Sequence, residues 1–154
     1  MEITENTFIE ILGLPEWDDK VLDLLDYLEL KRPIVEKGEG YAFLKSEEHG
    51  VDIMFDYDCI TPLQKELEAD RNLYVSQISF NLNTDLLLAY HLEASDDYNT
   101  VVSKIGREPD AKALGSNTRF RWSFNNKEIN YKIIVDFKEE GLHSLKECTL
   151  KIEP

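Results

Sequence analysis

Residues 119–152 read RFRWSFNNKEINYKIIVDFKEEGLHSLKECTLKI, and the fold class turns on them. In Arg119–Phe124 the aromatic side chains Phe120, Trp122 and Phe124 alternate with Arg121 and Ser123, the period of a strand with one buried face. Asn125-Asn126-Lys127 has turn composition and leads into Ile129–Phe137, where Ile129, Tyr131, Ile133, Val135 and Phe137 alternate again. Glu139-Glu140-Gly141 makes a second turn into Leu142–Ile152. Parallel neighbours need crossovers of about a dozen residues or more, and these turns are far shorter. A three-stranded antiparallel meander is expected here, and a doubly wound parallel sheet is excluded.

Working outward, Asp97 caps a helix to about Ile105 that turns Val101, Val102 and Ile105 inward and stops at Gly106, with Pro109 beyond it. The first part of the chain has a comparable order. Thr7–Leu14 carries Phe8, Ile11 and Leu12 at helical spacing behind Asn6, and Gly13 and Pro15 end it. Asp18 caps a second helix, Asp19–Leu30, whose apolar stripe is Val21, Leu24, Leu25 and Leu28. Strands follow at Tyr41–Lys45 and Val51–Tyr57, joined by the hairpin loop Glu47-Glu48-His49-Gly50. Thr61–Asp70 looks inserted, a short helix opened by Thr61-Pro62. Leu73–Leu82 is a further strand whose alternation slips near Gln77, the mark of a bulge. Leu86–Leu92 fits a short strand or a buried extended linker.

These elements make an α+β domain with helices on one face of antiparallel sheet, either one extended sheet or two. The order helix, then three strands, occurs twice, so the chain reads as one compact domain, 1–154, with pseudo-repeat halves of about 1–92 and 93–154. Each half is small for a separate core, and side-by-side association gives both a shared one.

The chain carries 31 acidic and 17 basic residues, a net charge of −14. Residues 1–92 hold 20 Asp/Glu against 7 Lys/Arg, whereas residues 93–154 hold 11 against 10. Nearly all the imbalance lies in the first part. Such a field disfavours nucleic acid and anionic membrane surfaces and steers a basic protein partner. Two cysteines, Cys59 and Cys148, do not make a disulfide framework, and the start MEITENTF lacks a basic, apolar leader. A cytoplasmic protein is expected.

No chemistry-bearing motif stands out. His49, His91 and His143 are scattered without metal-type spacing, and the sequence has no phosphate-binding glycine loop or nucleophile elbow. A non-catalytic protein without metal or cofactor is expected. Asp52, Asp56 and Asp58 fall on one face of a strand; carboxylates held on a stiff strand meet partner Lys and Arg with little loss of entropy. Glu47 and Glu48 at the hairpin tip, with Glu66 and Asp70 on the insertion, extend the candidate partner-binding set. An apolar groove, or the Arg119/Arg121 face, is the competing surface. Trp17 serves either as a helix staple or as an exposed anchor. Trp122 belongs in the core, and Tyr57 and Tyr74 are candidates for an interface rim.

Two resemblances follow from these motifs. A helix ending in Gly106-Arg107-Glu108-Pro109-Asp110, then meander strands with aromatic alternation, is similar to the repeat of beta-lactamase inhibitor protein and of small outer-membrane assembly lipoproteins; the lipoproteins' signal and lipid-bearing cysteine have no counterpart here. From Phe8–Pro15 through Tyr98–Gly106 to Leu150, the chain also looks like bacterial polymorphic-toxin immunity proteins of the contact-dependent growth inhibition type. That resemblance implies a protein that binds and neutralises a cognate, basic, nuclease-like toxin domain. Binding residues vary within such families, so it assigns no site residue. The alternative is a non-catalytic adaptor or chaperone-like interaction module. Oligomeric state is open.

Overall fold

A computed structural model describes residues 1–36, 39–57, 72–81, 83–86, 88–125, 129–139 and 141–153. The chain is α+β, and its strands form one sheet of seven, all neighbours antiparallel. The strands are β1 (Tyr41–Ser46), β2 (Val51–Asp56), β3 (Tyr74–Asn81), β4 (Ala111–Lys112), β5 (Arg119–Asn125), β6 (Asn130–Phe137) and β7 (Leu145–Ile152). Their order across the sheet is β1-β2-β3-β7-β6-β5-β4. A seam between β3 and β7, pairing Ile78 with Leu150 and Phe80 with Cys148, joins the early and late strands into that single sheet.

Alternation decides which face is covered. Ile53, Phe55, Ile78, Phe80, Trp122, Ile133, Val135, Cys148 and Leu150 are buried on one side. Phe8 and Ile11 of α1 (Thr7–Ile11), Val21, Leu24 and Leu25 of α2 (Asp19–Tyr27), and Val101 of α3 (Tyr98–Ile105) join the same core. Phe8 meets Phe80 edge-on at 4.7 Å between ring centroids, and Tyr98 stands 4.9 Å from Phe120. The register slips between Met54 and Phe55, opposite Ser76, which is the bulge that the broken alternation near Gln77 leads one to expect.

The helix ends follow capping chemistry. The Asp18 carboxylate accepts from Lys20 N at 2.9 Å, and the Asp97 carboxylate from Thr100 N at 2.7 Å. Gly106, at φ +95°, ends α3. By contrast, α2 stops sooner than its apolar stripe suggests. Glu29 takes φ +56° and Leu30 N reaches back to Leu25 O, closing the helix in a Schellman-type turn without glycine. Strand β7 also starts later than the alternation from Leu142 suggests: Leu142 has φ +56°, and its carbonyl accepts from Tyr98 N at 2.9 Å. Among the described residues of 86–92 the chain makes a 3-10 turn, Ala89–His91, between the buried Leu88 and Leu92, and none of them is in a strand. Among the described residues no helix is long and apolar enough to cross a membrane.

Candidate partner-binding face

On the side of the sheet away from the helices the outward positions of β2 are half-buried and Tyr74, which pairs with Asp56, is fully buried; the β1–β2 hairpin forms one edge of the sheet. Glu47 and Glu48 are exposed at the hairpin tip. The tip is held firmly. Ser46 Oγ accepts from His49 N at 3.3 Å, His49 Nδ1 lies 3.0 Å from Asp85 Oδ1, and Asn81 N donates to Gly50 O at 3.0 Å. Gly50 has φ +63°, and a Cβ there would stand 2.6 Å from Asn81 Oδ1 and 2.8 Å from Thr84 N. Only glycine fits.

Asp52 and Asp56 come next along β2, half-buried on the face away from the helices. Asp52 lies opposite Lys45 on one side and Ser79 on the other. Asp56 lies opposite Tyr41 and accepts from Ser76 Oγ at 2.6 Å, so the bulge serves to orient a carboxylate. Asp58, Glu66 and Asp70 lie outside the described residues. The four described carboxylates of the expected set therefore belong to one hairpin, two at its tip and two on its outward row.

Several features of this face are not legible from sequence spacing. Tyr41 and Phe43 are exposed on the edge strand β1, their rings edge-on at 5.9 Å. Because Ala42 and Leu44 are apolar too, the run Tyr41–Leu44 does not show which parity faces out. At the other end, Arg119, Arg121, Lys132 and Lys151 share this outer face with Asp136 and Glu147, through the pairings Lys132–Lys151, Ser123–Lys132 and Arg119–Asp136. Arg119 reaches Asp136 at 3.3 Å, and Thr118 Oγ1 donates to the same carboxylate at 2.9 Å. Gln77, Arg119, Ile134, Asp136, Glu147, Thr149 and Lys151 line a shallow depression there of ≈ 170 Å³. A polar chain crosses the seam: Gln77 Nε2 donates to Ser79 Oγ, which is 3.1 Å from Thr149 Oγ1, which donates to Glu147. The acidity of the first half also shows on the outer side of α2, where Asp19, Asp23, Asp26 and Glu29 are exposed.

The titratable groups elsewhere serve the fold. Lys104 Nζ caps the carbonyl of His91 at 2.7 Å and grips the buried Asp96 through both carboxylate oxygens, at 3.1 and 2.8 Å. The hydrogen bond from Thr100 N holds the Asp97 carboxyl below the usual carboxylate range. That from Ser123 N, with help from Arg107, does the same for Asp110. Burial pushes the Tyr131 hydroxyl well up, with its Tyr90 partner 3.1 Å away adding to the effect. Burial pushes the Cys148 thiol up to about 12. His91 pairs with Glu5 at 2.6 Å, away from the His49–Asp85 pair. Among the described residues no group of three His, Cys, Asp or Glu is placed to hold a metal ion.

The aromatic candidates divide. Trp122 is fully buried, and Trp17 is 46% exposed while donating to Asn72 Oδ1 at 3.3 Å. Tyr74, expected at a rim, is instead fully buried: residues 13–16 run alongside it, with Gly13 N donating to Val75 O and Glu16 N to Leu73 O. Comparison with protein-family models, with curated proteins and with solved structures finds no match.

Proposed function

We propose that this protein is an immunity or inhibitor protein that captures a basic, nuclease-like bacterial toxin domain in the cytoplasm and blocks it without catalysis. The observation that carries this reading is the β1–β2 hairpin, which gathers Glu47, Glu48, Asp52 and Asp56 on one clamped element at the edge of the sheet. A carboxylate set fixed in advance loses little entropy when it meets the lysines and arginines that a nuclease uses for phosphate. The acidic outer side of α2 adds long-range steering of a basic partner. A finer reading of the fold goes with this function. The halves α2-β1-β2-β3 and α3-β5-β6-β7 are each a helix followed by a three-stranded meander, a tandem pseudo-repeat whose third strands meet at the seam; the strand order supports it.

The exposed Tyr41 and Phe43 favour a second reading, a non-catalytic adaptor or chaperone-like module that holds an apolar segment. One experiment separates the two. A nuclease toxin domain, sought first among the genes adjoining this one, is co-expressed with wild-type protein and with a variant carrying Glu47→Lys, Glu48→Lys, Asp52→Lys and Asp56→Lys. Rescue of growth by the wild type, lost in the folded variant, is expected for the immunity reading. Rescue that the variant retains, but that Tyr41→Ser with Phe43→Ser abolishes, transfers recognition to the aromatic patch.

A further inference from the structure

The connector from β3 to α3 builds a groove beside the hairpin tip. Asp85, Leu86, Leu88, Leu92 and Glu93 are among the residues that line it, around a volume of ≈ 260 Å³. The three leucines are buried and make the floor, whereas Asp85 and Glu93 are exposed and make the rim. Among the described residues Glu93 makes no ion pair, and Asp85 has only His49, 3.0 Å from one carboxylate oxygen. The walls are set before anything binds. Leu86 N donates to Thr84 Oγ1 at 3.2 Å. The Ala89–His91 turn that places Leu92 is pinned by Lys104 Nζ on the His91 carbonyl at 2.7 Å and by Tyr90 Oη, 3.1 Å from Tyr131 Oη. The groove also adjoins the acidic elements. Gly50 of the tip abuts Thr84, which lines the groove, and His49 holds Asp85. The Tyr27 ring at the end of α2 lies 5.7 Å from the His49 ring.

An apolar floor beneath carboxylates restricts what can fill the groove. A purely apolar side chain would cover the leucines but take Asp85 and Glu93 out of water without a partner, which is unfavourable. A small cation would answer the carboxylates and leave the floor uncovered. A lysine or arginine side chain does both, because its methylene stem lies along apolar surface while its charged head stays at the rim. The small cavity next to the groove, which shares Thr84 and Leu88 with it, has two charged residues of opposite sign, Lys146 and Glu147. The rim and the neighbouring Glu47 and Glu48 therefore set the local field, and it favours the approach of a basic chain. We infer that the groove is a socket for one lysine or arginine side chain of a basic protein partner, an anchor point beside the hairpin tip. That this partner is a toxin domain rests on the reading proposed above; the chemistry of the socket does not. A side chain seated in a preformed pocket is the kind of contact on which interface energy concentrates.

The test is a titration of the full chain followed by two-dimensional NMR near neutral pH, in about 0.05 M salt so that screening is light. The probes n-butylguanidinium and n-butylammonium stand in for the two side chains, while guanidinium and n-butanol supply the charge or the stem alone. Saturable shifts of the amides of residues 84–86 and 92–94 are expected with a butyl cation, at a Kd on the order of 1–10 mM for so small a ligand. Binding should be about fivefold tighter than for either control, and the tighter of the two cations names the side chain. Asp85→Asn with Glu93→Gln is expected to weaken cation binding by about fivefold or more and to leave n-butanol unaffected. Circular dichroism checks the fold, and Glu93→Gln alone, which leaves the His49 contact in place, serves if the pair disturbs the tip. Shifts that do not saturate, that centre elsewhere, or that the variants leave unchanged would overturn the inference. In the rescue experiment the double variant is expected to protect less well than wild type. Full protection by the variant shows that the partner does not use the socket, which overturns the inference while the immunity reading stands. A wild type that protects from no toxin, beside a titration as expected, removes the immunity reading and keeps the socket.

Discussion

The indole Nε1 of Trp122 donates to the backbone carbonyl of Arg107 across 2.9 Å, and this bond fixes how α3 hands over to β5. On the far side of that carbonyl the Arg107 guanidinium grips both oxygens of Asp110 at 2.8 Å, donates to Ser123 O, and lies 4.9 Å from the centre of the Phe124 ring. Trp122 is fully buried. A single core side chain therefore secures both its own strand and the turn that precedes it.

Replacing Trp122 with phenylalanine keeps most of the apolar contact but leaves the Arg107 carbonyl short of its donor. A loss of about 1–2 kcal/mol is expected in urea unfolding, against about 3–5 kcal/mol for Trp122→Ala, which also opens a cavity.

Glycines at positive φ are not equivalent in this protein. Gly50→Ala meets Asn81 and Thr84 at under 3 Å, whereas the same change at Gly115, at φ +73°, meets nothing within 4 Å. Gly115→Ala carries only the backbone penalty of about 1 kcal/mol. Gly50→Ala is expected to cost clearly more and to shift the amide resonances of residues 81 and 84 as well as its own, which two-dimensional NMR would show.

Asp110 gives the protein an acid-side dependence. Hydrogen bonds from Ser123 N and Arg107 hold its carboxyl below the usual range. The stabilisation is therefore complete above the unfolded-chain value of about 3.9, and it is lost as pH falls through the lowered folded value. Wild type and Asp110→Asn are expected to differ in thermal midpoint at pH 6 and to converge towards pH 2. A gap that stays constant across that window would remove the ionised carboxylate from the explanation.

Cys148 sits in the core with its thiol pushed up to about 12, so neither access nor ionisation favours reaction. In a Cys59→Ser background, labelling by a thiol reagent at pH 8 is expected to proceed only through opening of the sheet. Its rate should follow the unfolding equilibrium as urea is added. Fast labelling of the folded protein would show β7 to be less firmly held than its central position implies.

Much of this arrangement is legible in the sequence, for identifiable reasons. Strong alternation marks β2, β5 and β6, and Asp18, Asp97 and Gly106 announce the helix limits, because these signals depend on neighbours a few residues apart. The early stop of α2 was hidden because Glu29, not glycine, takes the left-handed position. The burial of Tyr74 was hidden because it depends on parts of the chain distant in sequence, residues 13–16 among its backbone neighbours. Of the candidate face, the acidic row at Asp52 and Asp56 is visible in strand parity. Arg119 and Arg121 are visible in the same way; that Lys132 and Lys151 join them is not, because these belong to other strands and share the surface only through register.

The seam has a kinetic consequence. It pairs residues 77–81 with residues 147–151, so the sheet cannot become continuous until two distant stretches of chain have found each other. Closing so long a loop is entropically costly before any pairing rewards it, and topologies of this kind fold slowly. The β5–β6 and β6–β7 hairpins, by comparison, join near neighbours and form a natural nucleus around Trp122 and Ile133. Truncation of Ile133 is then expected to slow folding, while loss of the Ser79–Thr149 contact chiefly speeds unfolding, the two arms of a chevron plot telling early structure from late.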